Sequence, residues 1–190
     1  MSADGATIVS ASRDKTLKVW DGRSGAERLA LSGHADRVRG CAVSADGATI
    51  VSASRDQTLK VWDGRSGVER FTLSGHAGEV NDCAVSADGA TIVSASEDGT
   101  LKVWDGRSGT ERFTLRSHAD WVRGCAVSTD GATIVSASKH QTIKVWDAHT
   151  GECVATLHVD GPLEGCACSA NSEVIAAAGA RGMYFFRLVR

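Results

Sequence analysis

A period of 42 residues runs through the chain and constrains its fold more than any other feature. Tryptophan followed by aspartate recurs at this spacing, at Trp20, Trp62, Trp104 and Trp146. The stretches 2–43 and 44–85 differ at only eight positions. A repeat of this length is a supersecondary unit that cannot bury its apolar faces alone and must stack on copies of itself. The sequence therefore predicts similar units packed in series.

Each unit has the pattern of four short β-strands. The segments ATIVSAS and TLKVW are rich in β-branched residues and are separated by a tight turn, R-D-Q in the second unit. DGRSG marks the turn before ERFTL, and a longer connection, SGHAGEV, leads to NDCAVS and the turn ADG. No stretch shows helical periodicity, and the whole chain contains one proline. Four short strands per unit indicate an all-β protein built from radial blades.

Several spaced elements carry a more specific resemblance. GH, S-A-D-G, I-V-S-A-S and R-D-x-T-L-K-V-W-D recur together along nearly the whole chain, and in this combination the chain resembles the WD40-repeat (WD-repeat) β-propeller family. The resemblance implies blades of four-stranded antiparallel sheet, with strand a innermost and strand d outermost. Strands a to d of blade 2 are then expected at 37–44, 48–54, 58–63 and 69–73.

We expect a single WD40-type β-propeller region over residues 1–190. Its units are 2–43, 44–85, 86–127 and 128–168, followed by a degenerate unit at 169–190. These units predict eighteen strands in about four and a half blades, with no inner strand at the start and no outer strand at the end.

Because the two ends are unequal, two arrangements of the ring are possible. One closure would pair the final strand a, near 163–169, with blade 1 and displace the apolar segment MYFFRLVR. We predict the other arrangement, a partial or open ring, whose exposed blade faces favour pairing with another chain. A second copy of the chain, as a homodimer, or upstream blades would then complete it.

His, Ser and Asp, the residue types of a hydrolase triad, recur with Trp at fixed spacing. In an antiparallel meander, the d–a connection with His34 and the b–c turn with Asp56 lie at one end of the blade. Ser52 and Trp62 lie beneath them on strands b and c. A chain of hydrogen bonds from indole through hydroxyl and imidazole to carboxylate is therefore possible. The family resemblance implies this same structural tetrad.

A catalytic role is disfavoured because identical triads would recur on adjacent blades. Ser52 also lies in the middle of a strand, and no G-x-S-x-G motif is present. We therefore predict that the chain is not an enzyme. The predicted tetrad residues are His34, Ser52, Asp56 and Trp62 in blade 2, His76, Ser94, Asp98 and Trp104 in blade 3, and His118, Ser136 and Trp146 in blade 4.

The tetrad is incomplete in the other units. His140 stands where blade 4 is expected to have Asp, and blade 1 begins too late to supply its His. In the last unit, Arg187 aligns with the Trp and Ala177 with the Ser. These departures predict weaker blades.

Charge and composition limit the partners. The net charge is −2 and the isoelectric point is near 6.3, so general affinity for nucleic acid or anionic membranes is not expected. No apolar run approaches the roughly 18 residues of a membrane span, and the N-terminus lacks the pattern of a signal peptide. We expect a cytoplasmic protein that binds neither nucleic acid nor membrane.

The cysteines and strand-c lysines receive structural interpretations. Cys41, Cys83 and Cys125 recur every 42 residues in apolar strands, which favours small buried hydrophobes, with zinc binding and disulfides as alternatives. No metal and no cofactor is predicted. The lysines expected to be solvated are Lys18, Lys60, Lys102 and Lys144.

The predicted function is binding of a protein or peptide on the end of the blades that holds the b–c turns, the family's top face. Of nine differences between 44–85 and 86–127, eight lie in the b–c turn, the d–a connection or the start of strand a. Drift in tolerant loops is the alternative explanation. The family's partner-contacting positions map to Arg37, Arg39, Arg55, Glu79, Asn81, Glu97, Trp121, Arg123 and Lys139.

Trp121 is expected to be the main anchor, since Trp and Arg dominate interface energetics. A second function class treats the chain as a sensor or regulatory fragment of a larger nucleotide-binding signalling ATPase or kinase, whose catalytic part is absent from these residues. This alternative depends on resemblance to such repeat-bearing signalling proteins alone.

Overall fold

The computed structural model describes residues 1–116, 118–169 and 173–188. These residues form eighteen β-strands and contain no helix that is long and apolar enough to cross a membrane. The strands are β1 Thr7–Ala11, β2 Thr16–Asp21, β3 Glu27–Ser32, β4 Val38–Val43, β5 Thr49–Ser54, β6 Thr58–Asp63, β7 Glu69–Ser74, β8 Val80–Val85, β9 Thr91–Ser96, β10 Thr100–Asp105, β11 Glu111–Arg116, β12 Val122–Val127, β13 Thr133–Ser138, β14 Thr142–Asp147, β15 Cys153–His158, β16 Leu163–Cys168, β17 Val174–Gly179 and β18 Gly182–Arg187. The predicted unit 169–190 and the end of MYFFRLVR lie partly outside the described residues.

The strands form five antiparallel sheets, each a simple meander. Three sheets have four strands, in the orders β4-β5-β6-β7, β8-β9-β10-β11 and β12-β13-β14-β15, while β1–β3 and β16–β18 form three-stranded sheets. The all-β arrangement of blades is confirmed. The strands of blade 2, β4 to β7, begin and end within one residue of their predicted bounds.

The a–b turn of blade 2 shows why the repeat contains Ser-Ala-Asp-Gly. The Asp46 carboxylate accepts hydrogen bonds from the Ser44 hydroxyl at 2.6 Å and from the Ala48 amide at 2.9 Å. Gly47 follows with a φ of 70°, a conformation that favours glycine. A Cβ on Gly64, in the c–d turn, would lie 2.0 Å from the Gly47 carbonyl oxygen. Glycine at position 64 therefore lets the two turns pack together.

The apolar core lies between successive blades. In blade 2, the face with Val51, Leu59 and Val61 packs against the face of blade 3 with Ile92 and Trp104. We name these the forward face and the rear face of a blade. Equivalent residues pack in the same way between the other successive blades. Because blades 2 to 4 are covered on both faces, their b strands are buried at every position.

The blades form an open arc, because none of the strands in the described part of the chain pairs the first sheet with the last. Among the described strands, β16 pairs with β17 alone, so the closure that would join it to blade 1 is not formed. The expected partial ring is confirmed. Ile8 is 37% exposed on the rear face of blade 1, and Met183 and Phe185 are 65% and 67% exposed on the forward face of blade 5.

Candidate functional site

The four tetrad side chains of blade 2 form a continuous chain of hydrogen bonds. The Trp62 indole N–H donates to Ser52 Oγ at 2.9 Å, and Ser52 Oγ lies 2.7 Å from His34 Nε2. His34 Nδ1 lies 2.8 Å from a carboxylate oxygen of Asp56. Because a neutral imidazole has one N–H, Nδ1 donates to the carboxylate and Nε2 accepts the Ser52 hydroxyl proton. Each polar group of this buried network therefore has a partner.

Burial determines the charge states in the blade 2 tetrad. Burial lowers the pKa of His34, and the hydrogen bond to Asp56 offsets that effect only in part. Burial would raise the pKa of Asp56, but hydrogen bonds from Thr58, His34 and the Ala35 amide hold it below its usual range. A neutral imidazole next to a carboxylate is therefore the stable state at neutral pH.

The same geometry argues against nucleophilic chemistry. Ser52 is completely buried, and its oxygen is already held by an indole donor and an imidazole acceptor. A nucleophile needs an accessible oxygen and donors aimed at the developing oxyanion. The hydrogen bonds of the tetrad instead join strands b and c to the d–a connection above them.

Blade 3 repeats the network with nearly the same distances. His76 Nε2 lies 2.7 Å from Ser94 Oγ, and His76 Nδ1 lies 2.8 Å from the Asp98 carboxylate. The Trp104 indole donates to Ser94 at 3.0 Å. Burial acts to raise the pKa of Asp98, but the hydrogen bonds from His76 and other donors hold it well below its usual range.

Blade 4 keeps three members of the network and replaces the fourth. His118 Nε2 lies 2.7 Å from Ser136 Oγ, to which Trp146 donates at 2.9 Å. Thr142 Oγ1 lies 3.0 Å from His118 Nδ1, whereas His140, at the aspartate position, is exposed. Burial, together with nearby cationic side chains, lowers the pKa of His118 to about 4.

The terminal blades keep even less of the network. Trp20 donates to Ser10 Oγ at 2.9 Å, at an exposed site without a histidine. In blade 5, Phe186 pairs with Ile175, just as each tryptophan of the fuller blades pairs with an isoleucine. The alignment of Arg187 with the tryptophan was therefore wrong by one residue, because the b–c turn of blade 5 is one residue shorter.

The strand-c lysines of the inner blades are not solvated, so that expectation was wrong. Lys60 is buried, and its Nζ donates to the Glu69 carboxylate and to Thr72 Oγ1, both at 2.8 Å. Lys102 and Lys144 are buried at the equivalent positions. Each ammonium group instead joins strand c to strand d.

On the top face, several predicted contact residues are paired with one another. Arg39 and Arg55 both bind the Glu79 carboxylate, at 2.8 Å and 2.7 Å. Burial acts to raise the pKa of Glu79, but these two guanidinium groups hold it below its usual range. Asn81 Nδ2 donates to the Val122 carbonyl of the next blade at 3.0 Å. These contacts connect blades 2, 3 and 4.

Trp121 lies half-buried between two cations. The Arg123 guanidinium carbon and Lys139 Nζ lie 4.9 Å and 4.3 Å from the centre of an indole ring, distances typical of cation–π contacts. Arg123 also lies 4.0 Å from Glu97, and its buried Nε has no hydrogen-bond partner among the described residues. The structure brings these four predicted residues together.

One titratable group of the inner strands was missed by the sequence reasoning. Asp82, in β8, stands where Gly40 and Gly124 stand in the neighbouring blades. Its carboxylate accepts hydrogen bonds from the amides of Cys83 and Cys125, at 2.9 Å and 3.1 Å. Burial raises its pKa to about 6. The sequence did contain a signal for this residue, because Asp82 places a charged side chain where the neighbouring repeats, which are nearly identical, have glycine.

The described residues contain no group of three or more His, Cys, Asp or Glu side chains that could hold a metal ion. All six cysteines are free thiols. Cys83 and Cys125 are buried, and burial raises the pKa of both. Cys41 is partly buried, and Cys153, which lies outside the recurring positions, is exposed.

Comparison with known proteins agrees with the geometry. The sequence profile of the WD40 family (WD domain, G-beta repeat) matches residues 1–21, 25–63, 67–105 and 109–147, more than half of the chain. The nuclear distribution protein PAC1-2 of Postia placenta (strain ATCC 44394 / Madison 698-R) is 55% identical over 38 residues. That match covers 20% of this chain and 9% of the relative, so the chain spans a small part of that protein. With four matched repeats and five antiparallel sheets, the chain belongs to the WD40-repeat family.

Proposed function

We propose that this chain is a non-catalytic interaction module that binds a protein or peptide on its top face, the end of the arc formed by the b–c turns and d–a connections. WD40 repeats typically mediate protein–protein interaction, which supports the proposal. The observation that carries it is the distribution of differences between repeats 44–85 and 86–127. Eight of the nine fall at this end, and the strands beneath are nearly identical.

The chemistry of the top face suits a protein partner. Trp121 offers a partly exposed aromatic ring that contacts Arg123 and Lys139. Aromatic and arginine side chains in partly desolvated positions contribute most of the energy of typical interfaces. Glu97 and Glu79 place negative charge next to this cluster. The top face is therefore complementary to a partner surface that carries both acidic and basic side chains.

The proposal excludes catalysis on the tetrads, because Ser52, Ser94 and Ser136 are completely buried. The alternative, a sensor fragment of a larger nucleotide-binding ATPase or kinase, stays a prediction, as does the cytoplasmic location. The first prediction concerns a larger protein to which this module would belong, and the second concerns its location in the cell. Neither changes the proposed binding face.

Self-association is a second candidate function, favoured by the exposed ends of the arc. Met183 and Phe185 occupy the positions that Leu59 and Val61 hold on the forward face of blade 2. Leu59 and Val61 are completely buried by the rear face of blade 3. A second copy carries part of such a rear face on its blade 1, which has Ile8 and Trp20 at these positions but no described strand a. We propose that it packs there head to tail, which is a heterologous contact.

Site-specific photo-crosslinking tests the top-face proposal. Benzoylphenylalanine in place of exposed Ala119, in the d–a connection, samples the top face, and the same group in place of exposed Arg65 samples the opposite end. We expect a partner recovered by affinity capture to crosslink from position 119 and not from position 65. Crosslinks from position 65 alone would contradict the proposal.

A further inference from the structure

A cavity of about 340 Å³ opens between blades 1 and 2 at the top face. Its lining consists of Ala11, Arg13, Arg37, Val38, Arg39 and Arg55. Four of these six residues are arginines. We name this cavity the arginine pocket. Arg13 was not among the residues that the sequence analysis singled out.

The fold places these arginines from three separate segments. Arg13 lies in the b–c turn of blade 1, Arg37 and Arg39 lie at the start of strand a of blade 2, and Arg55 lies in the b–c turn of blade 2. Backbone hydrogen bonds hold the segments together, since the Val38 amide donates to the Ser12 carbonyl and the Arg55 amide to the Arg37 carbonyl, at 3.1 Å and 3.0 Å. The pocket is therefore built on ordered backbone.

The carboxylates around the pocket do not balance its charge. Glu79 binds both Arg39 and Arg55 with a single negative charge. Asp36 accepts a hydrogen bond from the Arg37 amide at 2.7 Å and also acts electrostatically on Arg55. Arg13 and Arg37 are exposed, and among the described residues neither forms an ion pair. Four arginines against Glu79 and Asp36 give a positive excess of two charges, and Glu97, which also acts on Arg55, reduces it to one.

The pocket is specific to this junction of blades. The equivalent positions carry Arg55, Glu79, Asn81 and Glu97 between blades 2 and 3, and Glu97, Trp121, Arg123 and Lys139 between blades 3 and 4. The repeat scaffold is thus shared by the three junctions from blade 1 to blade 4, whereas four arginines occur at the first of these alone. The fold itself does not require this concentration of charge.

We infer that the arginine pocket binds the carboxylate side chains of an acidic peptide. This inference rests on the proposed top-face function and names the chemistry of its partner. Planar guanidinium groups bind carboxylates through paired, charge-assisted hydrogen bonds. The volume lies at the small end of ligand sites, which run from about 300 to 1,000 Å³. It suits one or two acidic side chains.

The surroundings favour a peptide over a nucleic acid strand. A strand bound through its phosphates needs a continuous basic track, but the rim becomes acidic at Glu79 and Glu97, directly beyond Arg55. The pocket is therefore an isolated basic site, whose dimensions match a short run of acidic side chains.

Fluorescence anisotropy with a labelled tetraglutamate peptide tests the inference on the full chain at low salt. We expect saturable binding, no binding of the tetraglutamine counterpart, and weakening as salt screens the charges. Arg13→Gln and Arg37→Gln should each reduce affinity by about fivefold to tenfold, because each removes a charge-assisted contact. The matched control is Arg65→Gln, which removes an exposed arginine from the opposite end.

The inference is overturned if tetraglutamate fails to bind, or if Arg65→Gln weakens binding as much as Arg37→Gln does. It is also overturned if single-stranded DNA of four nucleotides binds more tightly than the peptide through the same arginines. A captured partner distinguishes this inference from the proposed function. If partner binding depends on Trp121 but not on Arg13 or Arg37, the pocket inference fails and the top-face function stands. If it depends on none of them, the top-face function fails.

Discussion

Thr142 Oγ1 lies 3.0 Å from Nδ1 of His118, whereas in blade 2 the equivalent atom, Nδ1 of His34, lies 2.8 Å from the Asp56 carboxylate. The hydroxyl keeps a hydrogen bond but supplies no negative charge. The Asp56 carboxylate also accepts the Ala35 amide at 2.9 Å. Blade 4 therefore keeps the shape of the tetrad without its anion.

Restoring that anion should stabilise blade 4. His140→Asp places a carboxylate at the position that Asp56 holds in blade 2, where it accepts from His118 Nδ1. We expect the free energy of unfolding to rise by about 1 kcal/mol, the typical net value of such a hydrogen bond. Urea denaturation measures this change. His149→Asp, the same change of charge at the opposite end, is the control, and an equal gain there would count against the tetrad explanation.

Removing one indole donor should weaken blade 2. Trp62→Phe deletes the 2.9 Å hydrogen bond to the completely buried Ser52 hydroxyl, and we expect a loss of about 1–3 kcal/mol of unfolding free energy. Trp20→Phe is a matched control, because the same 2.9 Å bond there reaches the exposed Ser10. Chemical denaturation that gave both variants the same midpoint shift would show that burial of the network contributes nothing.

Asp82 should make stability depend on pH. Burial raises its pKa from 3.8 to about 6, so between these values the folded chain binds a proton that the unfolded chain releases. The stability that this extra bound proton gives the folded chain is fully present below about pH 4 and is lost as pH rises through about 6. Asp82→Asn does not titrate. Relative to this variant, the parent chain should gain about 2 kcal/mol of unfolding free energy from pH 7 to pH 4.

Denaturation at several pH values measures the Asp82 contribution as a difference between two chains. His118 acts in the opposite direction, because its pKa is lowered from 6.5 to about 4, so the stability it contributes above pH 6.5 is lost as pH falls through about 4. Both chains carry His118, so its effect cancels in the comparison. A difference that stays constant from pH 7 to pH 4 would rule out the assigned titration.

The exposed ends of the arc should make the chain associate. Light scattering is expected to show an average mass above 19.8 kDa that rises with concentration. Phe185→Ser, on the forward face of blade 5, should lower it. Val68→Ser changes a 62% exposed side chain in a c–d turn and should leave it unchanged. A monodisperse 19.8 kDa monomer with a cooperative melt would refute head-to-tail packing.

The strands and the blades could be predicted from the repeat period together with the family resemblance, which supplied the assignment of strands a to d and so the relative positions of the tetrad residues. An antiparallel meander brings the His34 connection and the Asp56 turn to one end whatever the detailed packing is. The open arc followed from the same count of strands. Repetition of the pattern in several units removed most of the ambiguity of a single short apolar segment.

Features that depend on local geometry could not be predicted in this way. The shorter turn of blade 5 moved Phe186, not Arg187, into the tryptophan position. Lys60 is buried because Glu69 and Thr72 on the adjacent strand supply partners for its ammonium group. Arg13 joined the top face because the blade 1 turn packs beside blade 2. Each of these depends on side-chain contacts between segments that the repeat period does not specify.

The central claim is that the top face binds the partner and that the blades beneath it are a structural scaffold. The most direct test is the binding of a captured partner to the Trp121→Ala variant. Calorimetric titration should show affinity weakened by about 2 kcal/mol or more, roughly thirtyfold, since interface tryptophans of this kind are typical hot spots. The melting midpoint should remain nearly unchanged, because the ring lies half-buried between Arg123 and Lys139. A lower melting midpoint without selective loss of binding would place Trp121 in the core and contradict the top-face assignment.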